Sequence, residues 1–100
     1  MDELVRFVSA RLSDGIDTAH TCGQMLVAHG DATLGVSSEA AERHARFQVH
    51  AAETKRTLFQ ETIRPYLDVP GPAGLVAEQQ LRIFASLYAD HPDYRNEWRP

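Results

Sequence analysis

Apolar residues in the first third of the chain recur at alternating steps of three and four: Val5, Val8, Leu12, Ala19, Cys22 and Leu26. Gly15 takes one slot of that register, and Ile16 beside it widens the stripe. A period near 3.6 is that of an amphipathic α-helix, here predicted over about 2–28. Asp2 stands four residues before Arg6, acid first, the favourable order for a helical ion pair. Gly15 is the weak point, either a kink or a boundary between two shorter helices. The stretch HGDATLG, with two glycines and an aspartate, predicts an end near Ala28.

A second pattern runs over about 38–64. Ser37 or Ser38 supplies the N-cap, and Glu39 follows at the positive end of the dipole. Its apolar face is Ala41, Ala45, Val49, Ala52, Phe59 and Ile63, interrupted by Arg56, and is a candidate helix-packing face. Glu39 with Arg43 and Glu42 with Arg46 are spaced by four, Glu53 with Arg56 and Glu61 with Arg64 by three. Each such pair contributes only about 0.2–0.5 kcal/mol and marks a solvated surface, not a catalytic one. Pro65 lacks a donor and stops or bends the helix.

PYLDVPGPAG, residues 65–74, reads as a Pro/Gly linker. A third helix is predicted over about 75–89, with Val76, Gln80, Ile83, Phe84 and Leu87 on one side and Glu78–Arg82 as a surface pair. No segment alternates as a strand does, and no internal repeat occurs. The expected fold is all-α: two long helices, a third helix and a short C-terminal turn. They form a helical hairpin or three-helix bundle in one domain, residues 1–100.

Length sharpens that choice. A helix over 38–64 is about 40 Å long at 1.5 Å per residue, whereas a compact chain of this size has a radius of gyration of about 13 Å. Either the helices overhang, and their alanine-rich face is completed by a second copy or another protein, or they kink into a self-contained bundle.

Composition narrows the class. At 43% hydrophobic and 24% charged the chain matches a globular domain. The net charge of −4 hides no basic segment: residues 36–68 balance five basic against five acidic side chains. Nucleic acid is therefore disfavoured as a partner, although a nucleic-acid-binding regulator stays an alternative. One cysteine excludes an intrachain disulfide, and the start MDELVRF is no apolar leader. Met25–Ala28, the longest aliphatic run, falls far short of the roughly 20 residues a membrane span needs. A cytoplasmic protein with no membrane partner is expected.

Five histidines prompt a search for metal sites. His20 and Cys22 are two apart, His44 and His50 six apart, so each pair points to different helix faces. HExxH, CxxC and EF-hand patterns are missing, and GPAG lacks the spacing and lysine of a phosphate loop. No metal, cofactor or small-molecule ligand is inferred. Cys22 lies in the apolar stripe and is expected buried and inert. Arg43, Arg46, Lys55 and Arg56 could form a modest anion patch, but the interleaved glutamates favour a solvated face.

The tail YADHPDYRNEWRP, residues 88–100, concentrates what chemistry remains. One reading is a small metal-dependent or hydrolytic module using His91 and Asp93, helped by His44 or His50. Local physics gives another. The residue before proline avoids helical geometry, so the third helix must end by about Asp90 or His91. Either can then cap a short turn with Pro92 at its first position. Tyr94 and Trp98, four apart, share a side and can pack back on the third helix. Tyr88, His91, Asp93, Tyr94 and Trp98 are thus a candidate C-terminal staple, or a partner surface if the two rings are exposed.

Two resemblances fall on this tail. FASLYADHPDYR resembles the stretch of the J-domain co-chaperones that leads into their His-Pro-Asp loop, though only seven residues follow Asp93 where that family has another helix. More of the chain, MDELVRFVSARL, ETKR and LRIFASLYADHPDYRNEWRP, resembles a family of short actinobacterial and actinophage proteins of unknown function. Their C-terminal signature reads Tyr-Ala-Asp-His-Pro-Asp-Tyr…Glu-Trp-Arg-Pro. Before the second long helix that family carries a His-Ile-Ala-Arg-His-Asp-Pro-like stretch; here EAAERHARFQ keeps His44 but no Asp-Pro. The resemblance implies helical structure and transfers no catalytic residue. The functional expectation is a helical protein–protein interaction module, a homodimer or an adaptor, with no catalytic activity.

Overall fold

Gly15 does not interrupt the first helix. In a computed structural model that describes residues 1–100, α1 runs unbroken from Asp2 to Leu34, six residues past the expected end. Gly15 is exposed with open space around its α-carbon, and one glycine costs a helix only about 0.5–1 kcal/mol. The helix stops where a left-handed residue becomes available, Gly35 at φ 66°. The Val36 amide there donates back to the Gly30 carbonyl (3.2 Å).

Ser37 then caps α2, Ser38–Leu58. Its hydroxyl accepts the Ala40 amide (3.2 Å), and its carbonyl accepts the first helical bond from Ala41 (2.9 Å). The chain stays helical beyond Leu58 but changes register: Phe59–Ile63 is a π-helical turn and Arg64–Tyr66 a 3-10 turn. Pro65 explains the change, because it offers no N–H and crowds the carbonyl one turn back. The Arg64 amide reaches five residues back to Phe59. The widened turn leaves both Phe59 and Ile63 buried.

The expected linker is shorter than 65–74. Gly71 at φ 85° hands over to Pro72 at the first position of α3, Pro72–Ser86, which therefore starts and ends three residues earlier than 75–89. Its buried face also differs from the predicted one. Gly74, Ala77, Leu81 and Ala85 are buried, whereas Val76, Ile83 and Leu87 are more than half exposed. Both faces of α3 are apolar, so periodicity could not choose between them. Close approach does. A β-carbon on Gly74 would lie 1.9 Å from the Val69 carbonyl oxygen, so the turn after Tyr66 packs directly on the α3 backbone. Three α-helices and no strand make the protein all-α, and no helix is long and apolar enough to cross a membrane.

Contacts divide the chain into two units. Residues 1–11 and 56–100 form one, with Leu4, Phe7, Val8, Phe59, Ile63, Leu81 and Trp98 buried alongside Ala77 and Ala85. Residues 12–55 form the other, a hairpin of the remainder of α1 with most of α2. Leu12 and Ile16 are buried at its start; over 17–55 only Gly23, Gly30 and Ala41 are.

Candidate functional site

The first unit is closed by an aromatic cluster centred on Phe7 of α1. Its ring lies 5.0 Å from Trp98, 5.6 Å from His91, 6.0 Å from Tyr94 and 6.4 Å from Tyr88, centroid to centroid. The Tyr94 and Trp98 rings meet edge to face at 5.8 Å. Edge-on and tilted pairs of this kind contribute about 0.5–1.5 kcal/mol each beyond burial. Two cations cover the cluster, the Arg11 guanidinium over Phe7 (5.3 Å) and that of Arg95 over Trp98 (5.5 Å). Arg95 pairs with Glu3 and, at 3.6 Å, with Glu97. These groups are half exposed, so the pairs fix geometry more than they stabilise.

The expected proline-started helical turn is a β-turn. Tyr94 donates to the His91 carbonyl (3.0 Å) with Pro92 and Asp93 between them, and His91 Nδ1 accepts the Asp93 amide (3.1 Å). Helical geometry returns only at Asn96–Trp98. The third helix contributes Arg82, which pairs with Glu78 (3.0 Å) and donates to the Glu97 carbonyl (2.8 Å). The Asn96–Trp98 turn thus packs on α3 as expected, and the aromatic partner of Tyr94 and Trp98 is Phe7 on α1.

Of the five tail residues, Trp98 is buried, Tyr88, His91 and Tyr94 are half-buried, and Asp93 is exposed. Arg11 lies against both nitrogens of His91. Burial pushes the Tyr88 phenol above its ordinary 10.0, with Arg11 acting in the opposite direction. The Tyr94 hydroxyl is buried without a hydrogen-bond partner. Glu3, Phe7, Arg11, Asp93, Arg95 and Trp98 border a cavity of about 480 Å³ beside the turn. No group of three or more His, Cys, Asp or Glu comes together to hold a metal. His44 and His50 belong to the hairpin unit, not to the unit of His91 and Asp93. Glu3, Phe7 and Arg11 stand outside the site residues predicted from the sequence; their spacing of four along α1 is the available signal.

The hairpin presents the second feature. A β-carbon on Gly23 would lie 2.9 Å from that of Ala45, so α1 and α2 touch through their smallest residues. Beside that contact runs a groove of about 680 Å³, lined by Ala19, Gly23, Val27, Ala45 and Val49, with Arg46 and Glu53 also on its wall. The predicted packing face grades along α2: Ala41 is buried, and Ala45, Val49 and Ala52 are half-buried. Phe59 and Ile63, beyond the helix end, are buried in the other unit. Cys22, expected inside, is exposed, because the α1–α2 contact follows Gly23 and leaves its neighbour outside. Met25, Leu34 and Phe47 are exposed on the same unit at 60%, 70% and 64%. Glu39 and Arg43 form their surface pair at 3.5 Å.

No curated protein and no solved structure matches this chain. One protein family does, described as a family of unknown function (DUF6221), and its match runs over residues 1–100. Both chain ends that build the aromatic cluster, and the whole hairpin between them, lie inside that match, and the chain belongs to this family.

Proposed function

We propose that the protein is a helical protein–protein interaction module, without catalytic activity, whose hairpin unit completes its core on another polypeptide. One observation carries the reading: over 17–55 no side chain larger than alanine is buried, while Met25, Leu34 and Phe47 face outward. Burial of apolar area stabilises by roughly 25 cal/mol per Å², and glycine–alanine contacts supply little of it. Two helices held that way are marginal alone and gain from a partner laid along the groove.

The first unit, with its aromatic cluster and nine buried apolar side chains, supplies the anchor. An exposed lone thiol suits a reducing, cytoplasmic setting. The resemblance of the tail supports an actinobacterial or phage setting.

Trp98 is the sole tryptophan, so its fluorescence reports the first unit while far-ultraviolet dichroism reports all helices. For purified protein at low concentration the dichroism transition is expected below the fluorescence transition, since the uncovered hairpin melts first. A single coincident, concentration-independent transition in a monomer overturns the reading.

A further inference from the structure

One face of α2, bordering the hairpin groove, carries a charge order that specifies its partner. Glu42, Arg46, Val49, Glu53 and Arg56 follow one another at steps of four, three, four and three, so they share one stripe of the helix. The signs along it read minus, plus, Val49, minus, plus. Turning the stripe end for end about Val49 exchanges every sign. Laid antiparallel against a copy of itself, it sets Arg46 opposite Glu53 and Glu42 opposite Arg56, each pair twice by symmetry. Laid parallel in register, it sets like against like at all four positions.

Arg46, Val49 and Glu53 also line the hairpin groove. Arg46 and Glu53 are seven residues apart, about 10.5 Å along the axis, so the two complementary contacts flank the valine. Ala45 and Ala52 on one side of the stripe, and Ala19 and Gly23 across the groove, are small enough for close backbone approach. A two-fold axis needs a self-complementary patch, and this stripe is one.

We infer that the groove is occupied by a second copy of this chain, with the α2 helices antiparallel and crossing at Val49. The inference rests on the interaction reading above and adds the identity and direction of the partner. It joins the two hairpins as an antiparallel four-helix assembly, the form in which short-looped helical hairpins bury their inner faces. Charge order sets direction and specificity, and the apolar groove supplies the contact.

Sedimentation equilibrium on wild type, Arg46→Glu, Glu53→Arg and the double variant tests it, with Trp98 fluorescence verifying that each variant keeps its first unit. Wild type is expected to dimerise. Each single variant should weaken the homodimer about tenfold or more, because both symmetric contacts become repulsive. The double variant should regain wild-type affinity, and an equimolar mixture of the two single variants should dimerise as wild type does. A dimer whose affinity ignores both single substitutions overturns the antiparallel register.

A wild-type chain that stays monomeric overturns the self-pairing, and hydrogen exchange of the hairpin then separates the two claims. Weak protection leaves the interaction reading standing with a different protein as partner. Strong protection in the monomer removes both.

Discussion

Phe7 and Trp98 stand 91 residues apart in the chain, yet their rings lie 5.0 Å apart and both are buried. The pair ties the first two turns of α1 to the last turn of the chain. Trp98→Ala or Phe7→Ala is expected to destabilise the first unit by about 3–5 kcal/mol, the range for truncating buried aromatics. A double-mutant cycle on the two, followed by urea denaturation, should return a coupling of about 0.5–1.5 kcal/mol. Additive losses would show that the rings are buried independently. Tyr94→Phe keeps the ring contacts and removes a buried hydroxyl without a partner, so it should be neutral or mildly stabilising.

Two glycines should respond in opposite directions. Gly74→Ala sets a methyl 1.9 Å from the Val69 carbonyl, a backbone group that cannot swing aside. A loss of about 1–3 kcal/mol or more is expected, seen as a lowered Tm. Gly15→Ala meets nothing within 4 Å and lies mid-helix, so it should gain about 0.5–1 kcal/mol. A gain at Gly74 would place the Tyr66–Val69 turn away from α3.

Tyr88 predicts an alkaline limit. Its phenol holds its proton more tightly folded than unfolded, so the folded state binds more protons in the window between the two values. The stability this gives is fully present below about pH 10 and is lost as the pH rises from there through the folded value. Tyr88→Phe should therefore flatten the alkaline fall in denaturation midpoint relative to wild type. An unchanged profile would mean that the phenol titrates as though in water.

Cys22 should react in the native protein. Its side chain is exposed and unbridged, so a thiol reagent added without denaturant should modify one thiol per chain as fast as it does after unfolding. Slow modification in dilute protein would place Cys22 under cover.

How much of this was legible in the sequence varies with the physics. Ser37 announced α2 because a hydroxyl three residues before an amide satisfies it locally, and Pro65 announced its end because a missing donor is absolute. The all-α class followed from periodicity. What failed depended on distant residues. Val76, Ile83 and Leu87 looked like the inner face of α3, but Gly74 and Ala77 form it because backbone approach from the 66–69 turn decides. The end of α1 is expected near Ala28 because Gly30 follows, yet the helix tolerates Gly30, and the left-handed position it needs lies at Gly35. In the tail, the Tyr94–Trp98 pairing was readable from its spacing, whereas its partner Phe7 is non-local and left only a weak trace in Glu3, Phe7 and Arg11.

That the hairpin lacks a core of its own is measured directly by residue-resolved hydrogen exchange on dilute, monomeric protein. Amides of 17–55 are expected to exchange far faster than those of Phe59–Ile63 and Ala77–Ala85, and to gain protection only when the groove is covered. Equal protection of both sets in a protein that light scattering shows to be a monomer would contradict it.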